Sequence, residues 1–136
     1  MSQGNTQTVE RVLATLRYTT PEELTDELLA ELFAPQVEWL PVAQELRLAD
    51  RYEGYEGMRR FFVDFLGIWE EFYTHVEGHW EVLDHVVTTL RVTGHRHGVS
   101  LNEAWSALWT IENQRVVRME GFASPSGASK AAGLEE

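Results

Sequence analysis

The fold is decided by the stretch from Val86 to Phe122, which contains three long apolar or alternating runs: VVTTLRVT at 86–93, LNEAWSALWTI at 101–111 and RVVRMEGF at 115–122. Runs rich in Val, Thr, Ile and Trp that are separated by short polar turns are typical of β-strands. Together with a weaker run just upstream, they predict an antiparallel meander with strands near 78–84, 86–95, 100–111 and 115–123.

Three amphipathic helices are predicted, mostly before this meander. In the first, apolar residues recur at helical spacing: Val9, Val12, Leu13 and Leu16. The second begins with a capping box formed by Thr20 and Glu23, with Pro21 at its first position. Pro35 ends it, and a short strand follows at 37–40. The third has the most aromatic stripe: Met58, Phe61, Phe62, Phe65, Trp69 and Phe72.

The order of these elements predicts an α+β fold: a curved antiparallel sheet wrapped around three helices, forming a cone with an internal pocket. The chain has 136 residues, of which 43% are hydrophobic, and this fits one domain over 1–136 with its own core. We expect residues 1–7 and 125–136 to be flexible or loosely docked, although the tail could form one helical turn.

Composition excludes several classes of function. The chain has no Cys, which rules out disulfides and thiolate catalysis. With 22 acidic and 11 basic residues, its formal net charge is −11, so we expect no nucleic-acid partner. No apolar run is long enough to cross a bilayer, and the polar start is not a signal peptide. We therefore expect a cytoplasmic protein that has no membrane partner.

The histidines do not predict a metal site. His95 and His97 could share a strand face, whereas His75 and His79 would need a helix to face the same way and fall past the predicted end of the third helix. No carboxylate completes either pair at a useful spacing. The chain also has no Gly-rich phosphate loop and no serine elbow. We expect no metal and no cofactor.

The whole order of elements resembles the SnoaL-like proteins of the nuclear-transport-factor-2-like, or ketosteroid-isomerase-like, superfamily. The resemblance rests on "VEW" at 37–39, "YEGYEGMRRFF" at 52–62, "LWTI" at 108–111 and "RVVRMEGF" at 115–122, and it covers roughly 9–134. One departure is Gln114, where the family usually has Gly. The resemblance implies a cystatin-like α+β barrel with a pocket, and a homodimer packed through the outer face of the sheet.

The resemblance also implies site positions, and the family's catalytic carboxylates are missing from them. The three ketosteroid-isomerase positions match Val12, Trp39 and Ala107, none of which can serve as base or acid. The epoxide-hydrolase motif matches Arg91-Val92-Thr93 and Gly121, where the arginine is kept and both acids are lost. Cyclases of the SnoaL type also place an acid near Gly121.

If these correspondences hold, strand parity gives the lining of the pocket. On the strands, the concave face would carry Trp39, Thr89, Arg91, Thr93, Glu103, Trp105, Ala107, Trp109, Met119 and Gly121. Opposite them would lie the aromatic residues of the third helix: Phe61, Phe62, Phe65 and Trp69. A mostly aromatic cavity of this kind suits a small apolar or aromatic ligand that carries a polar group.

Arg91 and Glu103 are the candidate catalytic residues. Arg91 could hold a carboxylate or stabilise an oxyanion, and the alternatives are an ion pair with Glu103 or stacking on Trp105. Glu103 could be a general base whose pKa is raised by aromatic walls, or it could be a carboxylate at the rim.

These observations predict a protein that binds a small apolar molecule. The first alternative is a cofactor-independent acid/base enzyme, such as an isomerase, cyclase, dehydratase or epoxide hydrolase, acting on a polycyclic or terpenoid-like substrate. The second is a non-catalytic, dimeric interaction domain.

Overall fold

The structure, a computed structural model, describes residues 2–42, 48–82 and 84–133. The helices are α1 Ser2–Tyr18, α2 Asp26–Leu32, α3 Gly54–Ile68 and α4 Gly127–Ala131, with a 3₁₀ turn at Pro21–Glu23. The strands are β1 Phe33–Leu40, β2 Tyr52–Glu53, β3 Glu71–Val82, β4 His85–Arg96, β5 Val99–Glu112 and β6 Arg115–Phe122. Part of the loop predicted between 42 and 53 lies outside the described residues.

All the strands join one six-stranded sheet in the order β2-β1-β6-β5-β4-β3. The α+β prediction is confirmed, and so is the meander from β3 to β6. The sheet is mixed rather than purely antiparallel, because β1 runs parallel to β6 while every other neighbouring pair is antiparallel. Register shifts in β1, β3 and β5 bend the strands, as β-bulges do, and this lets the sheet curve around the helices.

The first helices begin and end differently from the prediction. Residues 21–23 form a 3₁₀ turn, and α2 begins later, with Thr25 as its N-cap accepting a hydrogen bond from Leu28 N at 3.1 Å. The Glu23 side chain still accepts a bond from Thr20 N at 2.9 Å. Strand β1 begins directly after α2, and Pro35 lies inside it, within the irregular stretch where the missing N–H breaks no regular ladder.

The predicted third helix ends earlier than its aromatic stripe suggests. Helix α3 stops at Ile68, and the Trp69 N–H makes the last helical hydrogen bond, to Phe65 O at 3.1 Å. Phe72 therefore belongs to β3, which begins at Glu71 rather than near residue 78. Strand β3 lies at the edge of the sheet, and its polar side chains hide the alternation that marks a strand.

Helices occupy both faces of the sheet. The main core lies between the concave face and helices α1, α2 and α3. On the outer face, Ala128 of α4 is fully buried against Val87 and Leu108. At the other end of the chain, the Thr6 hydroxyl donates to Glu81 Oε2 at 2.5 Å. Thr6 and Ala128, in the described parts of the two terminal segments, therefore contact the sheet.

The β5–β6 turn contains two residues in the left-handed region, Asn113 at φ 53° and Gln114 at φ 63°. Two consecutive positive φ angles are what a tight hairpin turn requires, and glycine usually takes the second position. Gln114 adopts this conformation with a full side chain. None of the helices in the described ranges is long and apolar enough to span a bilayer.

Candidate functional site

A cavity lies between the concave face of the sheet and helices α1 and α3. Its volume is about 80 Å³, counted as the space open to the centres of water molecules. The lining consists of Leu13, Leu16, Arg17, Trp39, Pro41, Val42, Phe61, Phe65, Phe72, Thr74, Leu90, Val92, Trp105, Ser106, Ala107, Trp109, Met119 and Gly121.

Six aromatic side chains line the cavity, and several of them pack on one another. Phe61 and Phe65 lie one turn apart on α3 and stack, with centroids 5.4 Å apart and planes 24° apart. Phe65 also meets Phe72 edge to face at 4.8 Å. Trp39 lies 5.7 Å from Trp109 in a T-shaped contact. Such pairs add to the stability gained from burial, so they fix the shape of the wall.

The cavity exists because small residues occupy the middle of the sheet. Ala107 lies between Trp105 and Trp109 on the same face of β5, since every second residue of a strand shares a face. It pairs with Gly121 of β6. A Cβ on Gly121 would lie 3.0 Å from Val42 Cγ2, so this position also lets the chain after β1 approach closely.

Two of the wall tryptophans are held by hydrogen bonds. Trp109 Nε1 donates to Thr88 Oγ1 at 3.0 Å, and Trp105 Nε1 donates to Glu103 Oε1 at 2.7 Å. Trp39 Nε1 is buried without a hydrogen-bond partner among the described residues. The Trp39 ring instead packs against aromatic neighbours, with Phe33 edge to face at 5.9 Å. The three indoles therefore serve as fixed walls.

Arg17 is an exposed residue that also lines the cavity, so it marks the mouth. Its guanidinium carbon lies 4.6 Å from the centre of the Tyr73 ring and 5.4 Å from that of Tyr18. Within the described ranges, no carboxylate oxygen comes within 4.0 Å of its nitrogens. Half-buried Thr74 is a second polar residue of the lining.

The structure places most of the predicted lining at the cavity. Those residues are Trp39, Phe61, Phe65, Trp105, Ala107, Trp109, Met119 and Gly121. Trp69 and Phe62 are buried in the core beside the cavity but do not line it. Trp69 packs against Phe72 at 5.3 Å, and the Arg96 guanidinium lies 5.6 Å from its ring centre.

The prediction for β4 is wrong by one residue. Leu90 and Val92 line the cavity, so Thr89, Arg91 and Thr93 lie on the outer face. The pairing of β4 with β5 fixes this parity, because Leu90 faces Trp105 across the ladder. The match of Arg91 to a family motif predicts that Arg91 faces the cavity. The alternation of Leu90 and Val92 with polar residues predicts instead that Leu90 and Val92 face it.

Neither predicted catalytic residue lines the cavity. Arg91 is 42% exposed, and it contacts Asn102 Oδ1 at 3.3 Å and Glu77 Oε2 at 3.8 Å instead of pairing with Glu103. Glu103 is exposed, and its carboxylate holds the Trp105 indole. This agrees with a carboxylate at the rim that positions an aromatic wall.

Several lining residues were missed at the sequence level. Leu13 and Leu16 belong to a helical stripe that was predicted as core, and Arg17 follows on the same face at i+4 from Leu13. Phe72 and Thr74 lie on the first part of β3, where the sequence pattern predicts helix or loop. The position of Arg17 depends on its contact with Tyr73, which local periodicity cannot reveal.

The chemistry available at the cavity is apolar contact with a cation at its edge. Within the described residues, the lining contains no Asp, Glu or His. No cluster of His, Cys, Asp and Glu suited to a metal ion occurs in that part of the chain. The arrangement can therefore enclose an apolar molecule, and the described part of its lining offers no carboxylate or imidazole for moving a proton.

A perturbed hydroxyl lies just behind the wall. Burial raises the pKa of Tyr52 above its ordinary value, and a hydrogen bond to Asp64 raises it further. The Tyr52 ring packs edge to face on Phe61 at 5.4 Å, but Tyr52 does not line the cavity. It holds the chain before α3 against that helix.

Solved structures of the same fold are similar to this chain at low sequence identity. TerC, crystallised with polyporic acid, is 18% identical with a TM-score of 0.73, covering 89% of this chain and 92% of TerC. A hypothetical protein of ketosteroid-isomerase-like fold from Catenulispora acidiphila, in complex with trimethylamine, is 18% identical with a TM-score of 0.71, covering 94% and 93%.

A protein of unknown function with an NTF2-like fold from Burkholderia pseudomallei is 20% identical with a TM-score of 0.72, covering 93% of this chain and 95% of that one. No curated protein matches the sequence. The family model described as a SnoaL-like domain matches residues 9–119, which is most of the chain. This chain therefore belongs to the SnoaL-like domain family.

Proposed function

We propose that this protein binds a small aromatic molecule in the cavity between the sheet and helices α1 and α3. The observation that carries the proposal is an unfilled space walled by aromatic rings: Trp39, Phe61, Phe65, Phe72, Trp105 and Trp109. Protein interiors are normally packed to crystal density, so an apolar space of this size at the centre of a small domain favours a guest.

The size of the cavity limits the range of ligands that it could hold. A space of about 80 Å³ favours a ligand of one or two rings over the larger polycyclic substrate predicted as an alternative from the sequence. Small organic molecules in two proteins of the same fold, polyporic acid in TerC and trimethylamine in the Catenulispora protein, support a binding role. At 18% identity the likeness itself concerns the fold alone.

We propose binding ahead of acid/base catalysis. A general base must reach the proton it abstracts, within about 3 Å or through one water. The described lining offers no carboxylate or imidazole for that purpose, and Arg91 faces outward. Glu103 is engaged with Trp105 at the rim.

The proposal is tested by filling the cavity. Ala107→Leu adds three carbons inside it, and Ala104→Leu makes the same change on β5, where Ala104 faces Arg91 on the outer side. Isothermal titration calorimetry with phenol and 2-naphthol, backed by ligand-observed NMR, measures affinity. We expect wild type and Ala104→Leu to bind alike, and Ala107→Leu to bind at least about tenfold more weakly.

Thermal unfolding of each variant shows whether it is folded. If neither probe binds wild type, or if both substitutions change affinity equally, the cavity is not the site of a small aromatic ligand.

A further inference from the structure

We infer that the ligand is an aromatic acid, with its rings inside the cavity and its anionic group held by Arg17 at the mouth. The inference rests on the proposed function, because it assigns the polarity of a molecule bound in the same cavity. It replaces Arg91 as the cationic residue of the site with a residue from a different element.

Arg17 is where an anion on such a ligand would emerge. It lies in the last turn of α1, on the face that also carries Leu13 and Leu16, and all three line the cavity. The rest of the wall is almost entirely apolar, so a charged group on the ligand would have to remain at the water-exposed end. Arg17 is exposed at that end.

Among the described residues, Arg17 lacks an ion pair in a chain where acidic residues outnumber basic ones by 22 to 11. Most described arginines contact a carboxylate, such as Arg11 with Glu31 at 3.4 Å and Arg118 with Glu38 at 3.2 Å, whereas Arg17, Arg96 and Arg115 do not. In the described part of the chain, Arg17 has no carboxylate within 4.0 Å. It is thus a cation at the mouth of an apolar cavity that is not already neutralised by an acid of the described chain.

Stacking prepares Arg17 to bind an anion. Its guanidinium carbon lies over the Tyr73 ring, 4.6 Å from the ring centre. The N–H donors lie around the edge of the guanidinium plane, so a stacked guanidinium still presents its fork to a carboxylate. The stacking also limits the rotamers of a long side chain, which lowers the entropy lost on binding.

A purely structural role for Arg17 makes a different prediction. A cation in the last turn of a helix interacts favourably with the helix dipole, and that interaction supports folding without any ligand. Such a role would change the stability of the fold when Arg17 is replaced. It would not change the relative affinity for an acid and its neutral isostere.

The test compares 2-naphthoate with 2-naphthamide, which have nearly the same shape but differ in charge. Affinities are measured by calorimetry for wild type, Arg17→Gln, Arg17→Lys and Arg96→Gln. Arg96 is a matched control, because it also stacks on an aromatic ring, that of Trp69, and is not part of the lining. Both glutamine variants lower the net charge by one, so long-range repulsion changes equally.

We expect wild type and Arg96→Gln to prefer naphthoate over naphthamide by about three- to tenfold, as befits a partly exposed charged contact. Arg17→Gln should lose that preference, and Arg17→Lys should keep part of it. Equal affinities of wild type for the two probes, or a preference that survives in Arg17→Gln, would overturn the inference and leave the proposed function standing. If neither naphthoate nor naphthamide binds while 2-naphthol does, the inference fails and the proposed function stands.

Discussion

The Tyr52 hydroxyl makes the stability of this fold depend on pH. It donates a hydrogen bond to Asp64 Oδ2 at 2.8 Å and accepts one from Ala49 N at 3.2 Å. Burial and the bond to Asp64 hold its pKa above the ordinary value. The folded state therefore keeps this proton at a pH where the unfolded chain, with a tyrosine pKa near 10, begins to lose it.

Tyr52→Phe should lower the free energy of unfolding at pH 7 by about 1 kcal/mol, because Asp64 and Ala49 lose a partner. The contribution from Tyr52 is complete below about pH 10 and decreases as the pH rises further, since unfolding then releases a proton. The gap between wild type and Tyr52→Phe should therefore narrow above pH 10.

Urea denaturation at pH 7 and above pH 10 measures the difference in unfolding free energy between wild type and Tyr52→Phe. Tyr18→Phe is the control, because Tyr18 is exposed. A gap that stays constant or widens above pH 10 would contradict the assignment.

Individual side chains were predictable where the alternation of a strand is unbroken. Trp105, Ala107 and Trp109 fall on one face of β5 by simple parity, and the structure places all three at the cavity. In β4 the match of Arg91 to a family motif predicts the opposite parity, and the structure shifts the cavity-facing residues by one position to Leu90 and Val92. Since the period of a strand is two, a shift of one residue reverses every side chain.

Among the secondary-structure elements, helix α2 has two threonines before it that could serve as its N-cap. The sequence predicts the cap at Thr20, but Thr25 makes the side-chain bond to Leu28 N. Thr25→Ala should lower the free energy of unfolding by about 1 kcal/mol, because an N–H of the first turn loses its acceptor.

Thr20→Ala is the matched control for this prediction. Thr20 contributes its backbone N–H to Glu23, so removing its hydroxyl should change stability by less than about 0.5 kcal/mol. Chemical denaturation of both variants decides the point. A larger effect at Thr20 would move the functional cap back to the position that the sequence predicts.

Element types were easier to predict than their ends. The three long strands of the meander lie within a few residues of their predicted ranges, because β-branched and aromatic residues dominate them. The start of β3 was missed because an edge strand with polar side chains carries little hydrophobic signal. The helical periodicity of Trp69 and Phe72 with α3 then assigned them to the wrong element.

For the whole molecule, helix α4 covers part of the sheet face that does not carry the cavity. Ala128 is fully buried there, its N–H donates to Ser106 Oγ at 2.9 Å, and the Ser106 hydroxyl donates to Ser124 O at 2.7 Å. The C-terminal segment is thereby joined to β5. The predicted homodimer through the outer face stays a prediction, and α4 would be part of that interface.

Ala128→Asp should destabilise the fold by roughly 3 kcal/mol, because it buries a carboxylate against Val87 and Leu108. Ala131→Asp, on an exposed position of the same helix, should have little effect. Thermal and urea unfolding of the two variants test the docking of α4. Equal, small effects would mean that the C-terminal segment contributes little to stability.

The fold could be predicted from the sequence, because it follows from the order of elements, and that order together with the family resemblance predicts a pocket inside the curved sheet. The residues at the mouth of the cavity could not be predicted from the sequence. The mouth depends on α1 packing beside β3 so that Arg17 meets Tyr73, and that contact joins residues far apart in the chain.

The paired indoles of Trp39 and Trp109 have an optical consequence. Their ring centres are 5.7 Å apart and their planes are inclined by 74°, which is close enough for the excited states of the two chromophores to couple. A coupled pair of this kind gives a two-signed band in ultraviolet circular dichroism, and the band is sensitive to small rotations of either ring. Since both rings face the cavity, the protein carries its own spectroscopic reporter of what enters it.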